Sequence, residues 1–247
     1  MLYNCRLKNN ALIWSIGILR VNSEKVIRML TVKKLHKSFS DAQVLRGVDM
    51  TLAPRFVYTL TGGNGSGKTT LFNIITGFLK PTTGAVEFKE QNISRFTPFK
   101  INRMGIGCTF QDLRLALQMT ALENILLAQE RKMFTFATSE QRRHAEKILE
   151  RVALTHQKDT PAGELSYGQQ KLLTIGCCIA NNAELLLLDE PVAGIDRDNF
   201  RKITALVRDL RDGGKTIFQI EHNPEYIKET SDRVLALEGG RLLDEAC

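Results

Sequence analysis

The stretch "GGNGSGKT", Gly62 to Thr69, carries the pattern G-x-x-x-x-G-K-[ST] between an apolar run and a helical one. Glycines let a backbone wrap closely around phosphates. Its N–H groups, with the N-terminus of the following helix, offer donors and roughly +0.5 of a charge to an anion. Lys68 is long enough to reach β- and γ-phosphates, and Thr69 can ligate Mg²⁺. A second stretch, "ELSYGQQKLL" from Glu164 to Leu173, also sets a serine, a glycine and glutamines in front of an apolar helix. The chain already has the better phosphate turn, so the second raises the question of what it holds.

Polar groups close other apolar runs. "GCTF" ends in Gln111, "LLLL" in Asp189-Glu190 and "TIFQI" in Glu221-His222. In an open parallel sheet, ligands bind beyond the carboxyl ends of the strands, so parallel runs would gather these groups on one rim. Their types suit nucleotide hydrolysis. Asp189 can hold Mg²⁺ or one of its waters, and Glu190 can polarise the attacking water as a base. Gln111 can bind metal or position that water. His222 can hydrogen-bond the γ-phosphate and sense its loss. Each has a plainer reading alone: an Asp-Glu pair caps turns, and a histidine after a strand is usually structural. Their coincidence with a phosphate loop favours chemistry.

The elements that must carry these groups are legible after Met29. "TVKKLHKSF" and "VLRGVDMTL" read as strands joined by a polar turn at Ser40-Asp41. "FVYTLT", Phe56 to Thr61, reads as a buried strand, and a helix follows from about Lys68 to Phe78. Pro81 and Gly84 read as a turn. "IGCTF", Ile106 to Phe110, is a short strand. Residues from about 112 to 164 read as a largely helical insertion. A helix from Ser166 to about Ala180, a strand in "ELLLLDE", a helix in "DNFRKITALVRDLRDGG" and a strand in "KTIFQIEH" follow, and "RVLALEGGRLL" ends the domain. This alternation predicts a mainly parallel sheet covered by helices.

Composition sets wide bounds. The 247 residues suit one large α/β domain or two small ones, and 43% apolar with 25% charged residues is ordinary globular usage. The net charge of +7 favours anionic partners, but the charge is spread along the chain and few aromatics accompany it, against nucleic-acid binding. Cys5, Cys108, Cys177, Cys178 and Cys247 form no C-x-x-C pair, which fits a reducing cytosol. The apolar patch Ala11 to Leu19 is far below the ~20 residues a bilayer requires. Arg6 and Lys8 precede it, but no small-residue cleavage site follows, against a signal peptide.

Taken together, the motifs resemble those of the ATP-binding cassette (ABC) ATPases. "GGNGSGKTT" is similar to the family's Walker A loop, "LLLLDEP" to its Walker B strand and "LSYGQ" to its LSGGQ signature. Gln111 falls at the Q-loop, Asp196 in "AGID" at the D-loop and His222 at the switch histidine. The resemblance covers about Leu30 to the C-terminus. It implies a P-loop NTPase core with a mainly parallel sheet, an N-terminal antiparallel β subdomain and a helical insertion. It implies ATP and Mg²⁺ as ligands: Gly62, Gly63, Asn64, Gly65, Ser66, Gly67, Lys68, Thr69 and Thr70 around the phosphates, and Phe39 stacked on adenine. Thr69, Gln111 and Asp189 would serve the metal; Glu190, His222, Gln111 and Lys68 would serve hydrolysis. Two domains of this family pack head to tail, so Ser166, Tyr167, Gly168, Gln169 and Asp196 would contact ATP held by a partner. This answers the question of the second loop. Departures are Tyr167 and Gly63, where glycine and proline are commonest, Arg55 at a place often held by glycine, and Phe39 without a tyrosine hydroxyl.

Within the family, "MTALENILLA", "ELSYGQQKLL" and "DEPVAGI" look like the ATPase subunits of branched-chain amino acid and urea uptake systems. That implies a second ATPase subunit (identical or different), transmembrane permease subunits, an extracytoplasmic binding protein and a peripheral place on the cytoplasmic face of the membrane. The helical insertion would meet the permeases. Nucleic acid is not expected. An exporter ATPase and a soluble non-transport ABC ATPase are the alternatives; an unrelated P-loop kinase or GTPase would leave "LSYGQ" and His222 unexplained. Residues 1–28 fit none of this: the expected domain is 29–247, with Met29 as the start and a misassigned extension before it. A short amphipathic membrane-contacting segment is the alternative there.

Overall fold

The computed structural model describes residues 28–40, 42–110, 112–129 and 137–243. The expectations placed on Asp41, Gln111, Cys5, Cys247 and the stretch before residue 28 lie outside the described residues. In chain order the elements are β1 (Leu30–Phe39), β2 (Ala42–Leu52), β3 (Val57–Thr61), α1 (Lys68–Ile75), β4 (Thr83–Phe88), β5 (Gln91–Asn92), α2 (Pro98–Arg103) and β6 (Ile106–Cys108). Then come α3 (Ala121–Gln129), α4 (Ser139–Arg151), α5 (Tyr167–Ala180), β7 (Leu185–Asp189), α6 (Arg197–Asp212), β8 (Thr216–Ile220), α7 (Pro224–Thr230), β9 (Arg233–Glu238) and β10 (Arg241–Leu243).

Two sheets result. A 4-stranded antiparallel sheet has the order β2-β1-β4-β5. A 6-stranded sheet has the order β10-β9-β3-β8-β7-β6, parallel except at its β9–β10 edge. Successive side chains of a strand point to opposite faces, and the central strands use both. Leu186 and Leu188 of β7 enter one core with α3, α5 and α6, while Leu185 and Leu187 enter a second core with α1 and the antiparallel sheet. Ile217 and Phe218 of β8 divide the same way. Burial on both faces is why β7 reads as a continuous run of leucines, Leu185 to Leu188.

Four expectations need correction. The region of Pro81 and Gly84 is not only a turn: β4 begins at Thr83 and pairs with β1. Gly84 takes φ +89, and a Cβ there would come 2.3 Å from the Lys34 carbonyl, so the glycine marks a close strand crossing. α1 stops at Ile75, short of Phe78, because Thr76 closes it and Gly77 turns left-handed at φ +81. The strand after Met104 ends at Cys108, short of Phe110. The insertion opens without a helix over 112–120; its helices are α3 and α4, followed by short 3-10 turns. Arg55 has φ +68, which accounts for glycine being frequent at its place in similar sequences.

Candidate active site

Strands β3, β8, β7 and β6 are parallel neighbours, so their carboxyl ends share one rim. The phosphate loop follows β3. Its Gly67 is the N-cap of α1 in the left-handed region and lends no side-chain cap, so the first N–H groups of α1 remain available to an anion. A Cβ on Gly63 or Gly65 would meet nothing within 4 Å, so open space faces the loop there. The Lys68 ammonium curls over it and donates to the carbonyls of Gly62 at 2.7 Å and Gly63 at 2.9 Å. The Ser66 hydroxyl is buried with no hydrogen-bond partner among the described residues. An orphaned donor, free helix N–H groups and a lysine over open space fit a polyphosphate. Asn64 is exposed and Thr70 half-buried beside them.

The end of β7 faces this loop. Thr69 and Asp189 line one cleft of roughly 160 Å³, with Thr109 and Asn73. The Asp189 N–H donates to the Thr109 hydroxyl at 3.1 Å, and the Thr109 N–H to the Leu187 carbonyl at 2.9 Å, which fixes the end of β6 against β7. Burial, then the charge of Glu190, pushes the Asp189 carboxyl up to about 6; Lys171 and Lys68 oppose that. A hydroxyl and a buried carboxylate across a small cleft suit Mg²⁺, which takes few protein ligands and completes its shell with phosphate and water. Gln111, expected to serve the same metal, is outside the described residues.

Glu190 follows at φ +47, a left-handed conformation that a side chain adopts only under constraint. Its N–H donates to the Ile220 carbonyl at 3.0 Å. Its own carbonyl accepts from the Lys171 ammonium at 2.5 Å and from the Ala193 N–H at 3.2 Å. Its carboxylate accepts no hydrogen bond from the described residues, which leaves it free for a water. Next along the rim, the buried Glu221 carboxylate accepts from the N–H groups of Val192 at 2.9 Å, His222 at 2.8 Å and Asn223 at 3.1 Å. It ties the turn after β7 to the turn after β8, and leaves the His222 side chain exposed. Phe39 is also exposed, with the Lys37 ammonium 4.7 Å from its ring centroid.

The second loop is a capped helix start. The Ser166 hydroxyl accepts from the Gln169 N–H at 3.3 Å, and the Gln169 side chain accepts from the Ser166 N–H at 2.9 Å, a reciprocal capping box. Ser166 and Tyr167 are exposed, while Gly168 is buried against Asn199. Asp196 caps α6: one carboxylate oxygen accepts from the N–H groups of Asp198 and Asn199, the other from the Asn199 amide at 2.6 Å. Its carboxylate is thus spent within its own chain. Thr109, Lys171 and Asn199 were not singled out by the sequence as parts of the site; Glu221 was placed on the rim, but its role as a tie between two turns was not foreseen. The capping rhythm D-x-x-N at 196–199 was visible; Thr109 and Lys171 act through bonds to distant backbone, which no local pattern signals.

A parallel sheet with a phosphate loop, a carboxylate pair and a switch of polar turns on one rim, beside an antiparallel sheet and a helical insertion, defines an ATP-binding cassette. The chain belongs to the ABC transporter family, whose profile matches residues 45–193. It is 34% identical over 226 residues (86% of this chain, 89% of the relative) to the high-affinity branched-chain amino acid transport ATP-binding protein LivG of Escherichia coli. It is 35% identical, with the same coverage, to BraF of Pseudomonas aeruginosa, which carries the same description. It is also 31% identical to the ribose import ATP-binding protein RbsA of Bacillus subtilis, over 87% of this chain and 44% of that one. An ATP-binding cassette of an ABC transporter in its ADP conformation superposes with a TM-score of 0.82 at 33% identity, covering 89% of this chain and 91% of that one. A dimeric cassette in a post-hydrolysis state bound to ADP and Pi gives 0.79 at 26% identity, covering 88% and 98%. The chain is an ATP-hydrolysing subunit of an ABC transporter. Among the described residues no helix is long and apolar enough to cross a membrane.

Proposed function

We propose that this subunit works as one half of a pair of cassettes that powers uptake of branched-chain amino acids or a similar small solute. The observation that carries the hydrolytic part is the shared rim: the phosphate loop, Asp189, Glu190 and His222 stand at the ends of neighbouring parallel strands. Gly62 to Thr70 and Lys68 bind the phosphates, and Phe39 stacks on adenine. Thr69 and Asp189, with Gln111, hold Mg²⁺, which when bound neutralises developing charge on the phosphates. Glu190 takes the proton of the attacking water, and His222 contacts the γ-phosphate. The capped helix behind Ser166, with Tyr167, Gly168 and Gln169, grips the γ-phosphate of ATP held by the partner, and Asp196 sits at the same interface. Loss of that phosphate loosens the pair, a ligand-controlled switch.

The solute class rests on the likeness to LivG and BraF along most of their length. Solute does not touch a cassette, so this part needs partners: permease subunits that meet the helical insertion, and an extracytoplasmic binding protein. Those partners place the chain on the cytoplasmic face of the membrane. Removing the base tests the hydrolytic reading. Glu190→Gln is expected to keep ATP binding and slow turnover by about 10²–10⁴, the usual contribution of a general base. ATP-trapped dimers should then accumulate. Near-normal hydrolysis by that variant would count against Glu190 as the base. For the solute, co-purified permeases reconstituted with a leucine-binding protein should show leucine-stimulated hydrolysis; stimulation by ribose alone would reassign the class.

A further inference from the structure

Two lysines are buried among the described residues, Lys68 of the phosphate loop and Lys171. Lys171 stands on α5, one turn past Tyr167, and its ammonium lies 5.1 Å from the Tyr167 ring centroid. It donates to the Glu190 carbonyl at 2.5 Å and to the Ala193 carbonyl at 2.9 Å. A buried ammonium is costly unless paired and hydrogen-bonded. Burial lowers the basicity of this one, and the carboxylates of Glu221, Glu190 and Asp189 work against that. An apolar side chain would pack the same helix face without the cost. The two bonds therefore need a reason beyond packing.

Glu190 supplies one. Its left-handed φ persists only if the surroundings over-determine it. Its N–H is fixed by Ile220, the far side of the turn is fixed by Glu221 through Val192, and Lys171 fixes the remaining carbonyls. Together they set the direction in which the free Glu190 carboxylate leaves the turn. We propose that Lys171 is a positioning residue for hydrolysis: through the carbonyls of Glu190 and Ala193 it aims the Glu190 carboxylate at the attacking water. Lys171 also stands on the helix that Ser166 caps, so a shift of that helix is passed to the turn carrying Glu190. The proposal rests on Glu190 being the base.

Steady-state turnover and ATP affinity of the purified full chain test it, with Lys171→Gln, Lys171→Met and Lys171→Arg. Gln keeps an uncharged amide under the turn but is too short to reach both carbonyls; Met fills the space with no donor. Both are expected to lower kcat by at least about tenfold while the Kd for ATP stays within about threefold, the signature of an interaction that matters to the transition state. Arg keeps charge and both donors and is expected to return kcat to within about threefold. In a Glu190→Gln background, Lys171→Gln should lower the residual rate by less than about twofold, because a residue acting through Glu190 has nothing left to aim. Wild-type turnover in folded Lys171→Gln, or fully additive losses in the double variant, would overturn the proposal. So would a result in which Gln and Met both fail to fold while Arg is fully active, since Lys171 would then serve folding alone. If Glu190→Gln itself hydrolyses normally, the reading of the base fails first, whatever Lys171 does.

Discussion

The hydroxyl of Ser166 is occupied in its own chain as the N-cap of α5, and on the reading above it also faces a phosphate on another chain. These roles separate chemically. Aspartate caps a helix about as well as serine, and capping residues are worth about 1 kcal/mol over alanine. A carboxylate opposite a γ-phosphate, however, brings two negative charges together. Ser166→Asp is therefore expected to melt within about 3 °C of the parent, a difference of no more than about 1 kcal/mol for a chain of this size. It should lose ATP-dependent dimerisation and most of its turnover. Thermal denaturation and sedimentation on the same sample check both halves. A variant that melts normally and still dimerises on ATP would show that the helix start faces no phosphate.

Between elements, a tight seam lies where α5 meets α6. Gly168 is pressed on Asn199: an added Cβ would stand 2.5 Å from the Asn199 amide nitrogen and 2.7 Å from its Cβ. The same amide holds Asp196, the cap of α6. Gly168→Ala is expected to cost about 1–3 kcal/mol, the usual cost of overpacking, and to lower the melting temperature by several degrees. Hydrogen exchange should quicken at Asp198 and Asn199, whose N–H groups the cap protects. Unchanged exchange there would mean that the seam yields elsewhere. Such seams mark where sequence reading ran out. β7 was legible because four leucines run unbroken up to a polar pair, β8 because a short β-branched and aromatic run stops at another, and α5 because Ser166 and Gln169 form a local cap. β4 was not, since Gly84 reads as a turn unless its crossing with β1 is known. α2 and α7 carried usable signals, Thr97-Pro98 and Asn223-Pro224, each a capping residue before a proline at the first helical position. Lys171 carried none, for its partners are carbonyls brought close only by the fold, and so is the Val192 N–H that Glu221 holds.

At the scale of the whole molecule, the question is whether the phosphate loop and Ser166 of one chain serve the same nucleotide. In a closed head-to-tail pair each site takes its phosphate loop from one chain and its capped helix from the other. Two damaged chains can then repair each other. Lys68→Ala removes the phosphate-binding lysine and Ser166→Asp spoils the capped helix, and each variant alone should be inactive. Mixed in equal amounts, half of the pairs would join one of each. Such a pair has one site with an intact loop and an intact helix, and a second site with both defects. The mixture should therefore recover about a quarter of parental turnover on random pairing, and up to about half if the like pairs, which cannot clasp ATP, do not form. The recovery should also need concentrations at which ATP drives sedimentation as a pair. If hydrolysis were assembled within one chain, every site in the mixture would carry one defect and mixing would recover nothing. ATPase assays across a mixing series distinguish the two arrangements, because recovery peaks at equal proportions only when the site is shared.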